Sequence, residues 1–166
     1  GSKVIIESGK TIKINGPINV IGEKKDPVKI IILPPNNLSK FLWGGISVLN
    51  AEKKSIMNYV KISGSELKNS NDNTEISKEN FRQDINGLTG CITFYNSDVK
   101  IVNTTFENLH CEDTINIFNS NFDIDRSTFK NASYDAIDSD FSNGEIKNSD
   151  FINIFNDGID LSGSNV

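Results

Sequence analysis

The chain has 166 residues, 17 Lys and Arg against 22 Asp and Glu, a formal net charge of −5 and 36 % hydrophobic residues. That length suits one domain able to bury a core, and the excess acid speaks against nucleic acid and anionic membranes, which bind through cations. No apolar run approaches the roughly 20 residues of a membrane-spanning helix, so no transmembrane segment is expected.

Gly1-Ser2 reads as a cloning remnant before a single domain, residues 3–166, cut from a longer protein. Residues 3–32 alternate apolar and polar positions at Ile12/Ile14, Ile18/Val20 and Val28/Ile30/Ile32. A period of two means short strands, enough here for one or two coils of a stacked repeat. Pro34-Pro35 marks a turn or loop. Residues 46–62 (ISVLNAEKKSIMNYVKI) fit one further coil, with Met57 and Ile62 in the places that Ile101 and Phe106 take later.

Residues 64–89 break this register. From Ile62 to Ile92 is 30 residues, against 9 from Phe106 to Ile115, so about 21 residues are inserted in one turn. The segment is polar, with apolar residues only at Leu67, Ile76, Phe81 and Ile85, and permits a short helix near 75–82. An insertion of that size is either a flap over a groove or a tolerated loop.

From position 92 the chain repeats itself. Ile92, Ile115, Ile137 and Ile159 are spaced 23, 22 and 22 residues apart; Ile101/Ile124/Ile146, Phe106/Phe129/Phe151 and Asn108/Asn131/Asn153 step by 23 and 22. The one-residue difference falls around Cys111-Glu112, and stacked repeats tolerate a length change in a turn. Runs such as 92–95 (ITFY), 99–102 (VKIV) and 122–125 (FDID) alternate, and Asn, Asp, Ser and Gly separate them. Two amphipathic helices do not fit in about 22 residues, and no leucine ladder is present. What remains is an all-β parallel solenoid of about six coils, each of three short strands, stacked at roughly 4.8 Å. The isoleucines and phenylalanines then form a continuous interior. Asn108/Asn131/Asn153 and Asn121/Asn143/Asn165 become candidate amide ladders, or simply turn residues. Residues 158–166 begin a coil and stop within it, so the natural protein is expected to continue.

If the isoleucine column points inward, two columns on the same strand point out: Thr93/Asn116/Asp138/Asp160 and Tyr95/Phe118/Asp140/Ser162. Just before the strand come Asp113, Asp135 and Asp157. Five carboxylates (Asp135, Asp138, Asp140, Asp157, Asp160) thus share one face on adjacent coils. Two carboxylates at about 5 Å repel by roughly 3 kcal/mol at an effective dielectric near 20. A shared proton would relieve this and make Asp138 and Asp160 candidate catalytic acid and base. A hard cation such as calcium would do so on Asp135, Asp138, Asp157 and Asp160. Water, turn hydrogen bonds and splayed side chains are the third answer. Tyr95 and Phe118, with Asn116 and Asp140 beside them, are candidate sugar-binding residues, unless the inserted loop covers the rings. Cys91 and Cys111 are too few for a disulfide scaffold and lack zinc spacing; plain thiols are expected over a single bridge. His110, the only histidine, is expected in a solvated turn.

These stacked phrases, 113–120 (DTINIFNS), 135–144 (DAIDSDFSNG) and 157–166 (DGIDLSGSNV), resemble the right-handed parallel β-helix superfamily of pectate-lyase-like fold. They are similar to β-helix repeats of bacterial surface or exported proteins, some accompanying a CotH-type kinase domain. Residues 19–32 and Trp43-Gly44-Gly45-Ile46 look like the opening coils of that kind. The resemblance implies an extracellular or surface location. It does not choose a function, because the superfamily holds lyases, hydrolases, epimerases and non-catalytic modules. Residues 156–160 (NDGID) are similar to part of the Asn-Thr-Asp motif of polygalacturonases, but the following Asp-Asp, His-Gly and Arg-Ile-Lys segments are absent. Lyases of this fold use basic residues with calcium, and Arg126 is the only arginine of the regular repeats. The expectation is therefore a non-catalytic module that binds glycan or supports a partner domain, with no cofactor or with calcium. The alternative is a fragment of a polysaccharide-active lyase, hydrolase or epimerase. A rigid spacer is the third class.

Overall fold

The computed structural model describes residues 1–33, 44–64 and 88–166. Pro34-Pro35, Trp43 and nearly all of the insertion, with its possible helix at 75–82, lie outside the described residues.

The chain is a right-handed parallel β-helix. In chain order its strands are β1 (Lys3–Ile6), β2 (Thr11–Asn15), β3 (Asn19–Ile21), β4 (Val28–Ile32), β5 (Gly45–Leu49), β6 (Ser55–Asn58), β7 (Val60–Ser63), β8 (Gly90–Tyr95) and β9 (Val99–Val102). Then come β10 (Thr105–Glu107), β11 (Asp113–Phe118), β12 (Asn121–Asp125), β13 (Thr128–Ala132), β14 (Asp135–Asp140), β15 (Asn143–Lys147), β16 (Asp150–Ile154) and β17 (Ile159–Ser162). Every third strand joins the same sheet: β1-β4-β7-β10-β13-β16, β2-β5-β8-β11-β14-β17 and β3-β6-β9-β12-β15. Six coils result, as the repeat arithmetic requires.

Register follows the alignment. Ile92 pairs with Ile115, Ile115 with Ile137 and Ile137 with Ile159. Upstream, Ile62 stands beside Phe106 and Met57 beside Ile101. The core is a set of like-on-like columns. Phe106, Phe129 and Phe151 stack face to face, with ring centroids 4.8 and 5.0 Å apart. Ile92, Ile101, Ile115, Ile124 and Ile137 are fully buried. Burying such side chains contributes roughly 1.5–3 kcal/mol each.

The corners explain the asparagines. Each complete coil in the regular region turns three times, and at each turn one residue takes a positive φ: Asn96, Asn119 and Phe141 at the first corner, Asn103, Arg126 and Asn148 at the second, and Asn108, Asn131 and Asn153 at the third. Left-handed backbone costs most residues roughly 1–2 kcal/mol, and asparagine tolerates it best after glycine. The corner asparagines also bond along the stack. Asn131 Nδ2 donates to Asn108 Oδ1 at 2.8 Å and Asn153 Nδ2 to Asn131 Oδ1 at 3.1 Å. A second ladder runs from Asn119 to Asn96 to Asn50, at 2.7 and 3.0 Å. The sequence pattern did not indicate this one, because the insertion hides the equivalence of Asn50. Asn121 pairs with Asn143 in the sheet, but its amide turns to Asp98 at 3.1 Å instead of continuing a ladder. Behind the first corner lies a serine ladder: Ser120 Oγ accepts from Ser97 N at 2.7 Å, Ser142 Oγ from Ser120 N at 3.1 Å, and Ser164 Oγ from Ser142 N at 2.9 Å. These bonds satisfy turn amides that a buried corner would otherwise strand.

Two expectations are corrected. Cys91 and Cys111 form a disulfide, with Cα atoms 5.4 Å apart. Cys91 lies on β8 and Cys111 in the turn before β11, one coil on, and stacking brings them within bridging range. His110 is not solvated: it is 8 % exposed, and its Nδ1 is hydrogen-bonded to Ser133 Oγ on the next coil. Its corner is a column position, so the neighbouring coil covers it.

Asn131→Ala removes two amide bonds and places a β-carbon in left-handed backbone. It should cost about 2 kcal/mol, a fall of roughly 4–8 °C in Tm for a domain of this size. Asn131→Gly, which accepts the backbone but lacks the amide, should lose about half as much. No loss of Tm in Asn131→Gly would mean that the ladder bonds contribute nothing, and equal losses in the two variants would mean that the left-handed backbone costs nothing.

Candidate functional site

The site face belongs to β8, β11, β14 and β17. Their inward residues are core, so the pleat turns the intervening side chains outward. Thr93, Asn116, Asp138 and Asp160 stack in one column, and Tyr95, Phe118, Asp140 and Ser162 in the next. Asp113 pairs with Asp135 at the start of the strands. The sequence-derived columns are therefore real neighbours.

Exposure grades steeply along them. Thr93 and Asn116 are buried, Asp138 is half-buried and Asp160 is exposed. Outward does not mean solvated here, contrary to the plain alternation argument. The half-buried Asp138 takes a hydrogen bond from Asn116 Nδ2 at 3.1 Å. Burial, together with the negative charges of Asp140, Asp160 and Asp135, still pushes its carboxyl up to about 6, against the Asn116 bond that favours the ionised form. Asp140 is also raised, by burial and then by Asp160.

Asp113, left outside the five carboxylates by sequence reasoning, is the most perturbed acid described. It is 2 % exposed. Burial drives its carboxyl up to about 8 against a Thr89 hydrogen bond, and Asp138, Glu112 and Asp135 add to the rise. At neutral pH it is mostly the neutral acid. Its Oδ2 and the hydroxyl of Thr93 are buried and have no hydrogen-bond partner. Its column was legible; its burial was not, since the coil before it arrives across the insertion.

The metal expectation receives a smaller set. Asp135, Asp157 and Asp160 can bring one carboxylate oxygen each to within 4.8 Å of one another. Asp138 is not in that group. Asp135 Oδ1 already accepts from Asp157 N at 2.9 Å and from Asn156 Nδ2 at 2.8 Å. Those bonds fit the turn-residue reading of Asp135 as well as a ligand role.

The aromatic pair is closer than a shared column demands. Tyr95 and Phe118 stack at 5.0 Å with planes 8° apart, and Phe118 meets Phe141 edge-on at 5.7 Å. Both stacked rings are half-buried. Phe141 is 63 % exposed and holds a φ of 49°, in the corner that Asn96 and Asn119 fill on the preceding coils. An exposed aromatic in strained backbone next to a polar face is a functional signal. The sequence reading passed over it, because the column Asn96/Asn119/Phe141 was not among the candidate ladders; the aromatic at a position 22 residues after Asn119 was the available signal. Arg126 lies at another corner, bonded to Asn103 and paired with Asp125 at 2.6 Å, so it does not serve this face.

No family model matches the chain, and no curated protein matches it. Among solved structures it is similar to the catalytic domain of a GH87 α-1,3-glucanase in complex with nigerose, in two variant forms. The TM-scores are 0.52 and 0.51 at 16 % identity, covering 99 % and 96 % of this chain and 28 % and 27 % of those chains. The chain thus spans about a quarter of those neighbours, and the likeness is one of fold, the parallel β-helix.

The unfolded chain ionises Asp113 near pH 4 and the folded chain only near 8. Asp113 therefore favours folding fully below pH 4, and this contribution drains away as pH rises to 8. Asp113→Asn should close the gap: its Tm relative to the native chain should climb steadily between pH 4 and pH 8. A constant difference across that range would show that Asp113 ionises normally.

Proposed function

We propose that the face formed by β8, β11, β14 and β17 binds glycan, and that the chain works as a non-catalytic β-helix module outside the cell or on its surface. The observation that carries this is the aromatic run Tyr95–Phe118–Phe141 beside Asn116, Asp138, Asp140 and Asp160. A sugar ring offers an apolar face and a rim of hydroxyls. The exposed ring of Phe141, backed by the stacked pair Tyr95 and Phe118 and with carboxylate acceptors alongside, meets both needs, and rigid aromatics bind at low entropic cost. The coils hold the rings in place before any ligand arrives, so little ordering is spent on binding. The fold neighbours, a glucanase catalytic domain with a bound disaccharide, agree with a glycan on this type of scaffold. The resemblance to bacterial exported repeats supports the location and, for the parent protein, a partner domain such as a CotH-type kinase.

Glycan-array binding, followed by titration with the best oligosaccharide, tests this. Tyr95→Ala and Phe118→Ala should each weaken binding about tenfold, the scale of a lost aromatic anchor. Phe141→Asn separates affinity from folding. It puts the preferred residue into the left-handed corner, so it should raise Tm while lowering affinity. Unchanged affinity in all three variants would remove the reading.

A second reading, glycoside or lyase chemistry, is favoured by one observation: Asp138, raised to about 6, stands one strand away from Asp160. A carboxyl that keeps its proton toward neutral pH, with a second carboxyl beside it, is what acid/base catalysis needs. On this reading Asp138→Asn lowers turnover of a polysaccharide more than 100-fold, within the range for loss of a general acid, with no loss of Tm. An Asp138→Asn variant that turns over a substrate at the native rate would exclude it.

A further inference from the structure

The carboxylates raise a question of ligand charge. Five of them occupy two neighbouring coils, and no residue of β8, β11, β14 or β17 is Lys or Arg. Charges at strand spacing repel. Part of that repulsion is visible in the acids themselves, since Asp138 and Asp140 are both held above the ordinary carboxylate range with neighbouring aspartates among the causes. Among the described residues, no cation of the chain answers them on this face.

A second observation is independent of the acidic cluster. Thr93 Oγ1 and Asp113 Oδ2 are buried polar atoms without partners, at the inner end of the same face. Thr93 stands in the column of Asn116 and Asp138, and Asp113 is one of the charge-coupled acids around Asp138. Gly90 keeps the space beside them: a β-carbon there would lie 2.9 Å from Thr93 Oγ1 and 2.8 Å from Asn116 N. Buried groups of this kind hold hydrogen-bonding capacity in reserve. A hydroxyl-rich ligand, or the water it orders, would use it.

We propose that this face selects glycans bearing free amino groups, polymers of hexosamine, with a sugar ring on the exposed Phe141, which the stacked Tyr95 and Phe118 back, and ammonium groups against Asp138 and Asp160. The proposal rests on the glycan-binding reading and names its ligand class. An ammonium relieves the repulsion that a neutral sugar leaves in place, and a polyuronate would add to it. The placement is right: Phe141 directly follows Asp140 at the end of β14, Asp138 stands two residues earlier on the same strand, and Asp160 pairs with Asp138. The charged groups around Asp138 are Asp135, Asp140 and Asp160, with Asp113 raised by the same field, so an incoming cation meets only acids.

Calorimetry separates the possibilities. At pH 7 the chain is titrated with a fully deacetylated glucosamine hexamer, its N-acetylated counterpart, a neutral glucan hexamer, oligogalacturonate, and calcium chloride alone. The deacetylated hexamer should bind at least tenfold tighter than either neutral oligomer, and oligogalacturonate should bind weakest. Asp138→Asn with Asp160→Asn should bring the affinity for the deacetylated hexamer down to that for the neutral oligomers, and Phe141→Asn should weaken binding of all of them. Equal affinity for amine and neutral oligomers would overturn the amine specificity and leave glycan binding standing. No binding of any oligosaccharide would overturn both. Calcium binding that Asp138→Asn with Asp160→Asn abolishes, with no oligosaccharide bound, would assign the face to a metal and refute the proposal.

Discussion

The vertical register of the coils is the constraint on which everything else depends. A strand spacing of about 4.8 Å sets how far one coil sits from the next, and the left-handed corners set where each strand begins. If a corner slipped by one residue, every side chain beyond it would change faces. The asparagine and serine ladders guard against this, because an amide or hydroxyl reaches its counterpart only in register. The disulfide does similar work where the insertion enters, joining β8 to the turn of the following coil. Conformational strain at the corners is thus offset by bonds that exist only because the corners repeat.

The same register generates the chemistry of the face. A stack of identical columns forces like beside like. In the core this is favourable: phenylalanine on phenylalanine buries both rings and places them at offset-stacking distance. On the surface it sets aspartate beside aspartate, which is unfavourable unless the charge is lost, bonded or met by a ligand. The chain uses more than one of these outcomes. Asp135 is bonded by Asn156 and the Asp157 amide, while Asp113 and Asp138 hold their protons longer than usual. Burial thus sets Asp113 apart from Asp138, two acids of one residue type that give up their protons at different pH.

How much of this was legible in the sequence follows from which forces are periodic. The isoleucine and phenylalanine columns, the corner asparagines at 108, 131 and 153, and the pairing of Asp138 with Asp160 all come from spacing, and spacing is written in the chain. Burial is not. It depends on what lies over a column, so Thr93, Asn116, Asp113 and His110 were assigned too much solvent. The disulfide escaped for a related reason. Its two cysteines are 20 residues apart, close to one coil, but one lies in a strand and the other in the turn whose length departs from the repeat. Where the repeat is perfect, sequence arithmetic locates a side chain; where it is broken, only coordinates do.

Phe141 brings these threads to one residue. The corner it occupies asks for asparagine or glycine, and Asn96, Asn119 and Gly163 comply in the same column. Phenylalanine costs backbone strain there, interrupts the amide ladder and leaves a ring largely in water. Within the coil its edge-on contact with Phe118 is the offsetting gain. Gly163 one coil on gives the ring its room, since a β-carbon there would come within 2.9 Å of it. The strain is therefore accommodated by the fold rather than relieved by it. A side chain that weakens its own corner, and is provided with space to do so, is thus the position at which the proposed glycan contact would have to offset a cost in stability.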